Sequence, residues 1–145
     1  MGASAKLSRR RRAALAAARA GLGTRFRPQG RMPRLGLDCI GVALLAAAGA
    51  GIMLPALPVY VLGGDHGALL ADTCRALGLR RVRGGMQRAK PGDLIEYRLA
   101  AGHRHVAVLS DAGIIHAHAG LGRVVEGPAP DDWAVVAAWA FPGVR

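Results

Sequence analysis

Acidic residues are missing from the first 37 positions of the chain, and the first to occur is Asp38. The same stretch carries Lys6, Arg9, Arg10, Arg11, Arg12, Arg19, Arg25, Arg27, Arg31 and Arg34, half of the 20 basic residues present. A block of this kind either attracts polyanions such as nucleic acid or anionic lipid, or is the solvated face of a helix with a frayed arm. Aromatic residues are scarce too: two Phe, two Tyr and two Trp leave little to stack on bases. Specific nucleic-acid recognition is therefore not expected. Long apolar runs are also lacking, although hydrophobic residues make up 52% of the chain. A transmembrane helix needs about 20 consecutive apolar residues, and the nearest candidate, residues 40–57, is interrupted by Gly49, Gly51 and Pro55. Arg19 breaks the alanine-rich N-terminal stretch before a signal-peptide core can form, so no signal peptide is expected. Lys6 stands where a myristoylation motif needs Ser or Thr. Two cysteines do not make a disulfide framework, and a bridge between Cys39 and Cys74 is not expected.

What remains is one domain's worth of chain, 145 residues with enough apolar content for a single core. Residues 1–7 are expected to be a disordered basic arm, and 8–145 a single domain. Ser8 is a cap for a helix reaching about Ala20, ended by Gly21 and Gly23. Residues 24–37, with two prolines and two glycines, are expected to be loop. A helix follows from about Cys39 to Ala50, then a Pro- and Gly-bearing connection over 54–64. Asp65 caps a third helix with Leu70, Cys74 and Leu77 on one stripe, and Gly78 ends it. Pro91-Gly92-Asp93 turns into the strand LIEYRL. HVAVL (105–109), IIHAHAG, GRVVEG (122–127) and VVAAWAF (135–141) follow as four more. Helices first and short antiparallel strands afterwards is an α+β pattern, with a sheet of about five strands.

The chemistry starts at Asp38-Cys39-Ile40-Gly41. A carboxylate and a thiol open an apolar helix at the end where backbone N–H groups are unpaired. Such an end lowers a thiol's pKa and stabilises an oxyanion, Asp38 caps the first turn, and Gly41 leaves room for a substrate backbone. A cysteine at a helix start is, on its own, more often a small buried hydrophobe. The histidines change the balance. His105, His116 and His118 fall on one face of a hairpin if Ser110 to Gly113 is the turn. In that register Leu109 meets Ile114, and His105 lies opposite His118 and diagonal to His116. A catalytic thiol needs a base, and the base needs a polar group to hold its ring. His66 and His103 sit in turn-like surroundings and are expected at the surface. Cys39 with the three histidines is also a possible zinc set. No Cys-x-x-Cys pair or His-Glu-x-x-His helix accompanies it, and no metal or other cofactor is expected.

With these residues in place the sequence resembles the NlpC-type cysteine peptidases, papain-like cell-wall endopeptidases, in particular their phage-tail and gene-transfer-agent branch. The resemblance runs from about Arg12 to Pro142 through LGTRFRPQGR, GLDCIG, PGDLIEY, HVAVL, IIHAHAGLGRVVEG and AAWAFPG. It implies the papain-like fold, with N-terminal helices packed on a C-terminal antiparallel sheet. It also implies a thiol peptidase with Cys39 as nucleophile, His105 as general base and His116 as the residue orienting His105, His118 being the reserve. Peptidoglycan stem peptides would be the substrate and phage-like tail proteins the partners. The site of action would be the periplasmic wall, reached as part of a virion or tail. One departure stands out: Phe26 replaces a tyrosine common in that family, and Gln29 is a candidate replacement donor. A tail-tip component with the same fold and little activity is the main alternative, and an acyltransferase or amidase using the same Cys-His pair is a third reading.

Overall fold

Ser8 opens helix α1 (Arg9–Ala20) of the computed structural model, its hydroxyl accepting the Arg11 N–H at 3.2 Å. The structure describes residues 7–32, 35–53, 67–99 and 102–143, with side chains at all of these except 67–69 and 71. The arm expected over 1–7, apart from Leu7, lies outside the described residues, as do the connection 54–64, the cap Asp65 and His66. Inside 24–37, expected as loop, two short strands pair antiparallel: β1 (Arg31–Met32) and β2 (Gly36–Leu37). Asp38 then caps α2 (Cys39–Gly49). The two helices pack on each other, and much of what they give the core is small: Ala14, Ala18, Ala43, Ala46 and Ala47 are all buried. Small side chains bring helix axes close, which is how alanine-rich segments make a firm pair. Helix α3 (Gly67–Ala76) buries Thr73 beside the expected stripe of Leu70, Cys74 and Leu77.

The main sheet has six strands, correcting the expected five. They are β3 (Arg80–Arg81), β4 (Leu94–Arg98), β5 (Arg104–Ser110), β6 (Gly113–His118), β7 (Arg123–Gly127) and β8 (Ala134–Ala140). Their order is β3-β8-β4-β5-β6-β7, with every neighbouring pair antiparallel. The added strand is two arginines long and shows no apolar alternation. It exists because the chain leaving α3 runs along β8, Arg80 opposite Ala140. Alternation sorts the side chains into two faces. Leu94, Val106, Val108, Ile115 and Val124 join the helices in the larger core. Ile95, Tyr97, Ala107, Ile114 and Ala138 form a smaller cluster on the other side, with Trp133 against it.

Helix α1 is fixed to the sheet by charge as well as by alanine packing. Arg11 Nε donates to Asp93 Oδ1 at 2.8 Å, and both side chains are buried. Asp93 Oδ2 also accepts the Lys90 N–H, so one carboxylate holds both the Pro91-Gly92-Asp93 turn and α1. Among the described residues no helix is long and apolar enough to cross a membrane.

Candidate active site

The start of α2 is built around the buried Asp38 carboxylate. Its Oδ1 accepts the Gly41 N–H at 2.8 Å and Arg31 at 2.9 Å, and its Oδ2 accepts the Gln29 N–H at 2.8 Å. Three donors on one carboxylate lock the 29–31 segment to the helix end, leaving Cys39 as the first helical residue. Two sequence expectations change here. Gly41 does not leave room for substrate: a Cβ there would stand 2.1 Å from the Gly30 carbonyl oxygen, so the chain's own loop fills the space. Gln29 adopts φ 59°, is exposed, and is not among the residues lining the Cys39 cavity; its backbone N–H serves Asp38 instead.

Cys39 opens onto a cavity of about 360 Å³ whose wall includes Phe26, His105, His116, His118 and Trp133. The thiol is pushed up to about 11, first by burial and then by the Asp38 carboxylate. The backbone at Val106 and Ile40 and the Arg31 charge oppose this and are outweighed. The Val106 contact sets the sulfur against β5, one residue along from His105. Cys74 is also a free thiol, but it is buried away from this cavity and pushed up to about 12 by burial and Glu96.

The hairpin turns where the sequence places it, with Leu109 opposite Ile114 and Ser110 opposite Gly113. Its ladder ends at Val108 and Ile115, however, while β6 stays paired with β7 as far as His118 and Arg123. The expected pairing of His105 with His118 is therefore not made. Instead His105 Nε2 lies 2.9 Å from His116 Nδ1, with the rings edge-on and their centroids 5.0 Å apart. If His105 donates from Nε2, its Nδ1 keeps a lone pair free for a proton. Burial pushes His105 down to about 3, with His116 and His118 adding to it, and burial followed by His118 pushes His116 to about 4. Both shifts favour a neutral thiol and a neutral imidazole at rest. Among the described residues no group of three or more His, Cys, Asp or Glu side chains is arranged to hold a metal ion.

Sequence reasoning misses three contributors. Trp133 packs edge-on against both histidines, 5.0 Å from His105 and 5.3 Å from His116, and reaches Tyr97 at 5.4 Å. The isolated Asp131-Asp132-Trp133 between two strands was the available signal, since a lone tryptophan in a polar loop needs an apolar reason to be there. Arg31 is tied to Asp38 through the folding of β1. His103, expected at the surface, is half-buried and lines the cavity with Arg104.

No protein-family model and no curated protein matches the sequence. Solved structures do match. The NlpC2 protein of Trichomonas vaginalis aligns with TM-score 0.68 at 16% identity over 94% of this chain, which spans only 50% of that protein. The P60 domain of an antigen from M. avium subspecies paratuberculosis gives 0.61 at 19% identity, covering 91% of this chain and 93% of that one. RipD of Mycobacterium tuberculosis gives 0.60 at 20%, over 95% and 98%, and is described as a non-catalytic NlpC/p60 domain protein adapted to peptidoglycan binding. At such identities the likeness establishes the fold: this chain has the α+β architecture of NlpC/P60 domains.

Proposed function

We propose that the chain is a thiol peptidase that hydrolyses amide bonds in peptidoglycan stem peptides. The observation carrying this reading is the 2.9 Å bond between His105 and His116 in the wall of the cavity onto which Cys39 opens. His105 Nδ1 takes the Sγ proton of Cys39 as the thiolate attacks the amide carbon. The oxyanion meets the dipole of α2 and the Cys39 N–H, the Gly41 N–H being held by Asp38. His105 then passes its proton to the leaving amine, giving a thioester. Water, deprotonated by the same nitrogen, attacks the thioester and releases a carboxylate and the free thiol. His116 keeps the base turned towards sulfur, and Trp133 shields both rings from water.

The test is to incubate purified protein with peptidoglycan and analyse the stem peptides released. New fragments that Cys39→Ala and His116→Ala abolish support the reading; no fragments from the parent protein overturn it. The further proposal, action at the periplasmic wall within a phage-like tail, rests on the sequence resemblance and is tested by finding the chain in purified tail particles.

A second reading, peptidoglycan binding without turnover, has observations of its own. Phe26 lines the cavity with no hydroxyl, and burial and the Asp38 carboxylate push the thiol up, against ionisation. RipD, of the same fold, is described as non-catalytic. Retention of peptidoglycan by the parent protein and by Cys39→Ala alike, without fragments, selects it.

A further inference from the structure

The cavity holds two histidines more than the proton-transfer chain uses, His103 and His118, and the second is held in place. His118 ends β6, and its ring is clamped by the turn that follows. Gly122 N–H donates to the His118 carbonyl at 2.8 Å, closing the turn, and Leu121 N–H donates to His118 Nδ1 at 3.0 Å. A backbone N–H only donates, so Nδ1 accepts and the proton of the neutral ring sits on Nε2. Gly120 completes the clamp: a Cβ there would lie 3.0 Å from Cε1 and 3.4 Å from Nδ1, against the ring. The ring's partner inside the cavity is His116, at 5.5 Å and tilted by 48°, which is contact without a hydrogen bond. With Nδ1 taken, Nε2–H is the polar group left to a ring that is among those lining the cavity.

We infer that His118 is a substrate-facing donor, its Nε2–H binding an oxygen of the segment presented to Cys39, in a cavity where Phe26 brings a ring but no hydroxyl. The inference rests on the peptidase reading of the Cys39 cavity. Its role differs from that of His116, which acts through His105 and never needs to touch substrate. The oxygen belongs either to a peptide carbonyl or to a carboxylate, and the two are separable by experiment.

Alkylation of Cys39 by iodoacetate and by iodoacetamide tests this without any peptide being cut. Three proteins are compared: the parent, His118→Gln and His118→Leu. Glutamine reproduces the arrangement, its Oε1 accepting the Leu121 N–H and its Nε2 donating; leucine does neither. The expected result is a two- to tenfold slower reaction of His118→Leu, the range one hydrogen bond supplies, with His118→Gln near the parent. Loss confined to iodoacetate assigns a carboxylate, and equal loss with both reagents assigns a carbonyl. Unchanged rates overturn the inference, and so does His118→Gln behaving like His118→Leu, since that outcome means packing alone. On stem peptides the same order is expected in KM, while His116→Ala lowers kcat. If the parent cuts nothing yet the alkylation order holds, the peptidase reading fails and the donor stands.

Discussion

The protonation state of the resting site gives the most exposed prediction. A free cysteine has a pKa of about 8.5 and is ionised to about 10% at pH 7.5. A thiol pushed up to about 11 is ionised far less there, on the order of 100-fold. Two influences compete at Cys39. The α2 end, the backbone at Val106 and Ile40, and Arg31 favour the thiolate; burial and the Asp38 carboxylate disfavour it, and they win. His105, held near 3, supplies no imidazolium to reverse the balance. Alkylation by iodoacetamide from pH 5 to 10.5, read by mass spectrometry on the Cys39 peptide so that Cys74 does not contribute, is therefore expected to rise about tenfold per pH unit with no plateau below pH 10. Asp38→Asn removes the second cause and is expected to speed alkylation at any fixed pH. A plateau reaching below pH 6 marks a preformed thiolate–imidazolium pair. That result refutes the argument that burial outweighs the helix end.

Three further outcomes are expected. Asp93→Ala leaves Arg11 buried without its carboxylate and is expected to cost about 3–5 kcal/mol in urea unfolding; a loss below about 1 kcal/mol contradicts the pairing. His105 and His116 both have folded values below the ordinary 6.5, so the unfolded chain takes up protons first. Stability, complete above pH 6.5, is then lost as pH falls towards 4 and 3, at up to about 1.4 kcal/mol per pH unit for each histidine. A His105→Gln, His116→Gln double variant should show a visibly flatter profile between pH 6.5 and 4.5, and identical profiles argue against buried neutral rings. Trp133→Ala opens the cavity to water beside the histidine pair and is expected to lower kcat about tenfold or more with circular dichroism unchanged; unaltered turnover removes Trp133 from the site.

The elements that the sequence predicts well are those whose causes are local. Ser8 and Asp38 cap helices because a short polar side chain reaches an N–H three residues on. The β5–β6 turn lands where it should because a tight turn fixes its own register over the adjoining residues. What fails is set from a distance. The β5–β6 ladder stops at Val108 while β6 stays paired with β7 to His118, and the ring that meets His105 is that of His116 and not the His118 of the simple register. Gly41 is small for Gly30, a loop residue brought in by Asp38, and β3 exists only because β8 offers an edge. None of these leaves a period in the chain, and for the histidines it is the family resemblance, not the hairpin register, that names His116 beside His105.

Charge shows the same division. The basic N-terminal block is the loudest signal in the sequence, yet four of its nine arginines are fasteners. Arg11 holds Asp93, Arg19 reaches Glu126 at 2.8 Å and also Asp111, Arg31 holds Asp38, and Arg10 donates to the Pro142 carbonyl at 2.7 Å. Except for Asp38, these partners lie 82 to 132 residues away along the chain, so no window of sequence pairs them. Pairing leaves the net charge of +11 unchanged but moves where it is displayed. Arg80, Arg81, Arg83 and Arg88, around the β3 edge, are all exposed, and none has an ion-pair partner among the described residues. A polyanion drawn by this charge meets as much of it at that edge as on α1, because a charged surface follows from which carboxylates the fold has already consumed.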